Sequence, residues 1–109
     1  MKTSNEQIFQ DLCKQYNLVV RDFNPLWKIA NISSPYIDDT CFILSYCENR
    51  DILYIPQFVT TDTIKVGYHE NITYNEKDFI DRINMTYDII KILKEKEVNK
   101  KLENIKNDF

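Results

Sequence analysis

A single glycine, Gly67, is all the sequence contains, and that excludes a glycine-rich loop able to cradle phosphate. One histidine, His69, stands beside Glu70. A lone histidine builds no typical zinc site with cysteines placed in strand interiors. As a general base it would need an activated nucleophile, and no Ser or Cys lies in such a context. The three cysteines are odd in number and lack CxxC spacing. Cys41 and Cys47, on one strand, would share a face about 20 Å apart, beyond the reach of a disulfide. Reduced, buried thiols are expected. No apolar run approaches the ~18 residues of a membrane span. Residues 1–25 show no continuous apolar core of a signal peptide, so a cytoplasmic location is expected. In that setting the triplets at Asn31, Asn71 and Asn84 mark no glycan sites.

An excess of positive charge is also missing. The net charge is −3, where a nucleic-acid binder would show a basic footprint. Residues 36–76 hold seven acids, Asp38, Asp39, Glu48, Asp51, Asp62, Glu70 and Glu76, against Arg50 and Lys65 alone. Nucleic acid is therefore an improbable ligand, and a basic protein surface is a better match for this stretch. The adjacent acids Asp38 and Asp39 read as turn formers rather than catalytic carboxylates. Neither an enzyme nor a cofactor is expected.

What is present is packing material. Hydrophobic residues make up 43% of the chain and aromatics 13%, a globular composition sufficient for one domain over 1–109. Ser4 and Gln7 form a capping-box pattern, and Ile8, Phe9, Leu12, Cys13 and Tyr16 recur at helical spacing. This predicts a helix from about residue 4 to 17. Leu18-Val19-Val20 reads as a short strand before the Asn24-Pro25 break. Trp27, Ile29, Ala30 and Ile32 form a second extended segment. The clearest β signal is two apolar runs, 41–47 and 52–55, joined by four polar residues. They predict a central hairpin apolar on both faces, with Pro56 ending its second strand. In 63–68, Ile64, Val66 and Tyr68 alternate inward, as in an edge strand. Asn75 caps a final helix with Glu76 and Asp78 in its first turn. The expected fold is thus α+β: a mostly antiparallel sheet of three to five strands, with an N-terminal helix and a long C-terminal helix packed on one face.

No glycine or proline follows Gly67, so the last helix is expected to run from 76 to about 106, roughly 45 Å at 1.5 Å per residue. A compact chain of this length has a radius of gyration near 13 Å, and the far end outruns the core. Residues 94–109 are therefore a possible protruding extension. Val98, Leu102, Ile105 and Phe109 are spaced four, three and four, a short seam suited to a homodimer or to another protein. With the acids Asp38, Asp39, Asp62 and Glu70 they are the candidate partner-binding residues. Elimination leaves a small non-enzymatic interaction protein that binds and modulates, chiefly inhibits, another protein. Its size, composition and lack of motifs resemble small phage or mobile-element inhibitors of host defence systems, which work in the host cytoplasm. That likeness is one of type, and no residue motif carries it. Two alternatives stand beside it. One is a small-ligand module whose pocket is lined by Trp27, Tyr36, Tyr46, Tyr54 and Phe58. The other is a homo-oligomeric structural subunit.

Overall fold

The computed structural model describes residues 4–38 and 41–107, with side chains through Lys100. The elements run α1 (Asn5–Gln15), β1 (Leu18–Asn24), β2 (Trp27–Ile32), β3 (Leu44–Cys47), β4 (Ile52–Thr61), β5 (Val66–Thr73) and α2 (Glu76–Asn107). The strands form one antiparallel sheet in the order β1-β2-β3-β4-β5. This is the expected α+β architecture. Local chemistry sets its boundaries. The Ser4 hydroxyl accepts the Gln7 N–H at 3.1 Å at the start of α1, satisfying a donor that the helix itself cannot. Asn17, at φ 54°, ends α1, in the left-handed conformation that asparagine tolerates. The Asn75 side chain accepts the Asp78 N–H at 2.9 Å and caps α2.

The register divides the sheet residues into two faces, because directly paired residues point the same way. Leu18 pairs with Ile32, Ala30 with Leu44, Tyr46 with Leu53, Ile55 with Ile72, and Thr61 with Val66, with Ser45 opposite Tyr54 fixing the phase between β3 and β4. On this first face Leu18, Ala30, Ile32, Leu44, Tyr46, Leu53, Ile55 and Val66 join Phe9 and Cys13 of α1 and Phe79, Ile83, Ile90 and Leu93 of α2 in one buried core. Both helices therefore cover the same side. On α2 the buried positions are spaced four, three, four and three through Thr86, the stripe expected of a helix lying on a core. The buried Thr86 hydroxyl donates to the Arg82 carbonyl at 2.8 Å and meets the Tyr68 hydroxyl at 2.9 Å.

Several boundaries differ from the sequence reading. β1 continues past Val20 to Asn24, and the Asn24-Pro25 break is a tight hairpin, with the Asn24 side chain accepting the Leu26 N–H at 2.8 Å. β3 begins only at Leu44, so Cys41 precedes the strand. Pro56 does not end β4, which continues to Thr61. Beyond Tyr54, β3 no longer pairs with β4, and such a one-sided position is where a ladder accepts proline. Ile64 does not face inward. The Asp62 carboxylate accepts the N–H groups of both Ile64 and Lys65 at 2.8 Å, an Asx turn that leaves Ile64 65% exposed. α2 matches its predicted span, and the molecule measures 66 × 27 × 24 Å with a radius of gyration of 16.6 Å. No described helix is long and apolar enough to cross a membrane.

Two core groups make the fold sensitive to alkali. Burial pushes the Cys13 thiol up from 9.0 to about 11. Burial, and then a hydrogen bond to Asp51, pushes the Tyr46 hydroxyl up from 10.0 to about 12. Each neutral form is favoured in the folded state, so the stability they contribute is complete below the unfolded values and drains as pH rises through the folded ones. The urea midpoint is expected to hold up to pH 9 and to fall between pH 9 and 12. A midpoint that stays constant over that window would contradict this account.

Candidate functional site

The second face of the sheet carries no helix. It presents Val19 and Arg21 of β1, Trp27 and Ile29 of β2, Ser45 and Cys47 of β3, and Tyr54 and Phe58 of β4, as the register requires. Trp27 and Tyr54 lie on either side of β3 and stack, with ring centroids 5.7 Å apart and planes 23° apart. The small residues between them, Ser45 and Cys47, are buried at 0% and 3% exposure although Cys47 lies outside the helix-side core. On the same face Phe58 is 49% exposed and Val19 42%. At the β1–β2 turn Phe23 is 72% exposed and Leu26 48%. Exposed aromatic and apolar side chains on one sheet face and its turn mark an interaction site more often than an idle surface.

The Ser45 Oγ is buried with no hydrogen-bond partner among the described residues. A buried unsatisfied hydroxyl costs about 1–3 kcal/mol. Ser45→Ala removes it with little change of shape and is expected to raise stability by about 1 kcal/mol, read as a higher urea midpoint at an unchanged slope. A lower midpoint would show that the hydroxyl has a partner after all.

The sheet's two edges differ. Along β5 the backbone is kinked at Glu70, φ 52°, a strained conformation for a residue other than glycine. On its outer side Val66 forms an isolated parallel bridge with Ile37, and its N–H donates to the Tyr36 carbonyl at 2.7 Å. β1 has β2 on one side and, among the described residues, no strand on the other. Every residue of it after Leu18 is exposed. Beside it, on the helix-free face, lies a hollow of about 210 Å³ whose walls include Val19, Arg21, Ile29, Asn31, Pro35 and Cys41. The Asn31 amide donates to the Cys41 carbonyl and holds one wall.

The residues singled out from sequence fall in different places. Asp62 is exposed but its carboxylate is engaged in the Asx turn, and those two N–H bonds hold it below the usual carboxylate range. Glu70 is exposed at the β5 kink. It lies four residues along the strand from Val66, which is about 13 Å, so Asp62 and Glu70 make no tight cluster. Asp38 is half-buried and Asp39 lies outside the described residues. Val98 is 55% exposed on α2 beyond the last core residue, Leu93. The side chains of Leu102 and Ile105, and all of Phe109, lie outside the described residues. The root of this extension is held by a hydrogen bond from the Tyr36 hydroxyl to the Glu97 carboxylate, which with burial raises the Tyr36 pKa.

Five aromatics proposed to line one pocket divide among three places. Tyr46 is in the helix-side core, Tyr36 is against α2, and Trp27, Tyr54 and Phe58 share the open face. His69 is exposed on that same face, its Nε2 2.7 Å from the Thr60 hydroxyl. Gly67 makes this contact possible, since a Cβ there would lie 3.0 Å from the imidazole nitrogen and 3.2 Å from Thr60 Oγ1. Among the described residues no group of three His, Cys, Asp or Glu converges as metal ligands do. Sequence reasoning missed Val19, Phe23 and Leu26 as site residues, because apolar residues flanking a turn read as ordinary strand. No protein-family model matches the chain, and no curated protein or solved structure is significantly similar to it.

Proposed function

We propose that the protein is a non-enzymatic interaction module that docks on another protein through the helix-free side of its sheet and inhibits it by occupying its surface. The observation that carries this reading is the half-buried Trp27–Tyr54 stack on the helix-free face, with Phe58 and Val19 exposed on that face and Phe23 and Leu26 exposed at the β1–β2 turn. Interface cores are enriched in aromatic residues, and this face carries Trp27, Tyr54 and Phe58. A rigid sheet also presents its side chains without losing much freedom on binding.

The test is photo-crosslinking inside the cell that produces the protein. Benzoylphenylalanine at position 58 or 23 is expected to give a defined adduct with one protein, and at position 92 on α2 none. Adducts from position 92 with none from 58 or 23 would overturn the reading.

A further inference from the structure

We propose that the hollow between the β4–β5 turn and α2 is a binding site for a small monoanion with an apolar body, such as a fatty or aryl carboxylate. It lies on the helix side of the sheet and goes beyond the docking surface described above; either stands without the other. The site begins where the core stops. The buried stripe of α2 ends at Leu93. Its next positions, four and seven residues on, are Glu97 and Lys100, by the spacing that keeps side chains on one helix face. All three residues line a hollow of about 600 Å³, within the roughly 300–1,000 Å³ of small-molecule sites. Its lining joins two chemistries. Pro35, Tyr36, Ile64 and Leu93 supply apolar surface, and Ile64 is 65% exposed. Lys65, Lys96 and Lys100 set three positive charges against the one carboxylate of Glu97, in a chain whose net charge is −3.

The walls are held in place before any ligand arrives. The Tyr36 carbonyl accepts the Val66 N–H at 2.7 Å, and the Tyr36 hydroxyl donates to the Glu97 carboxylate. This segment is thereby tied to both β5 and α2. The Asp62 carboxylate accepts the N–H groups of Ile64 and Lys65 and fixes the turn that carries both side chains. Preformed walls spare a ligand the cost of ordering them. The same bonds define the ligand's class. Those two N–H groups are spent on Asp62, so side chains must meet the anion. Lys65 also feels the Asp62 charge, which leaves Lys96 and Lys100, both exposed and four residues apart on one helix face, to hold the head. Ammonium groups are point charges with no fixed fork geometry, so carboxylate and sulfonate suit them alike. A bare inorganic anion gains nothing from Leu93 and Ile64, whereas an apolar body gains by covering them.

Decanoate and naphthoate, a linear and an aromatic monoanion, are the probes, titrated into the full-length protein at low salt and followed by backbone amide shifts. Saturable shifts are expected in residues 35–36, 63–65 and 93–100. Decanol, with the same chain length and no charge, should bind at least about tenfold more weakly than decanoate. Decanoate should lose at least about tenfold in affinity for the double variant Lys96→Gln with Lys100→Gln. Both lysines are exposed, so that variant keeps the native fold. Ile64→Ser should weaken both probes several-fold, and Ile92→Ser, exposed on α2 outside the hollow, should leave them unchanged. No saturable binding of either probe would overturn the site. So would shifts confined to Val19, Trp27 and Phe58, which would move the apolar ligand to the helix-free face. Decanol binding as tightly as decanoate would overturn the anion.

Discussion

Phe79→Ala is expected to remove about 3–5 kcal/mol of stability, out of roughly 5–15 kcal/mol for a domain of this kind. Phe79 is fully buried, in the first turns of α2 where the helix meets the rest of the core. Tyr16, the residue that caps the end of α1, meets its ring edge-on at 5.3 Å and 83°, and Tyr74 packs against it at 5.7 Å. The alanine variant loses the buried ring surface and both aromatic contacts, which contribute beyond area alone. It also leaves a cavity between the end of α1, the β5–α2 connection and α2, and partial relaxation around such a cavity keeps the cost high. Urea unfolding followed by circular dichroism measures the loss. A cost below about 1.5 kcal/mol, the range of volume-conserving swaps, would mean that the junction is looser than this packing implies.

The second large effect is on binding and not on folding. The double variant Phe23→Asp with Phe58→Asp is expected to lower affinity for the partner by at least about 100-fold, some 2.7 kcal/mol, because aromatic anchors dominate interface energy and a buried unpaired charge adds its desolvation cost. Both rings are substantially exposed, at 72% and 49%, so the stability of the free protein should move by no more than about 0.5 kcal/mol per substitution. The split between these two numbers is the informative feature. Isothermal titration with the crosslinked partner and urea unfolding of the free variant report them separately. Unchanged affinity would remove the face from the interface, and a variant that unfolds would show the rings to be structural.

Periodicity and caps made the element order readable. The capping pattern at Ser4, the apolar stripe from Ile8 to Tyr16 and the cap at Asn75 are local signals, and the structure uses each of them. The failures share a physical cause: they depend on what stands beside a strand. Pro56 ends a strand flanked on both sides but not one flanked on one side, and where β3 stops is a property of the sheet. Ile64 fits an alternating pattern until the Asp62 carboxylate takes up the Ile64 and Lys65 N–H groups.

The helix-free face was hidden for a related reason. Trp27 and Tyr54 look like core residues, and a sequence does not say which face the helices choose. A faint signal existed in β3, where small Ser45 and Cys47 alternate with bulky Leu44 and Tyr46. One face of that strand was thus built to sit beneath large neighbours. The far end of α2 was more legible. Its buried stripe ends at Leu93, and Val98 follows five residues later, out of phase with the preceding spacing. Val98 therefore turns away from the core stripe, consistent with its exposure.

Oxidative footprinting of the protein within its producing cell, compared with the purified protein, reads the central claim most directly. Binding through the open sheet predicts that Phe23, Trp27 and Phe58 oxidise more slowly in the cell, while Ile92 and Val98 on α2 oxidise at the purified rate. Equal oxidation of the three aromatics in both settings, with slowing confined to α2, would contradict it.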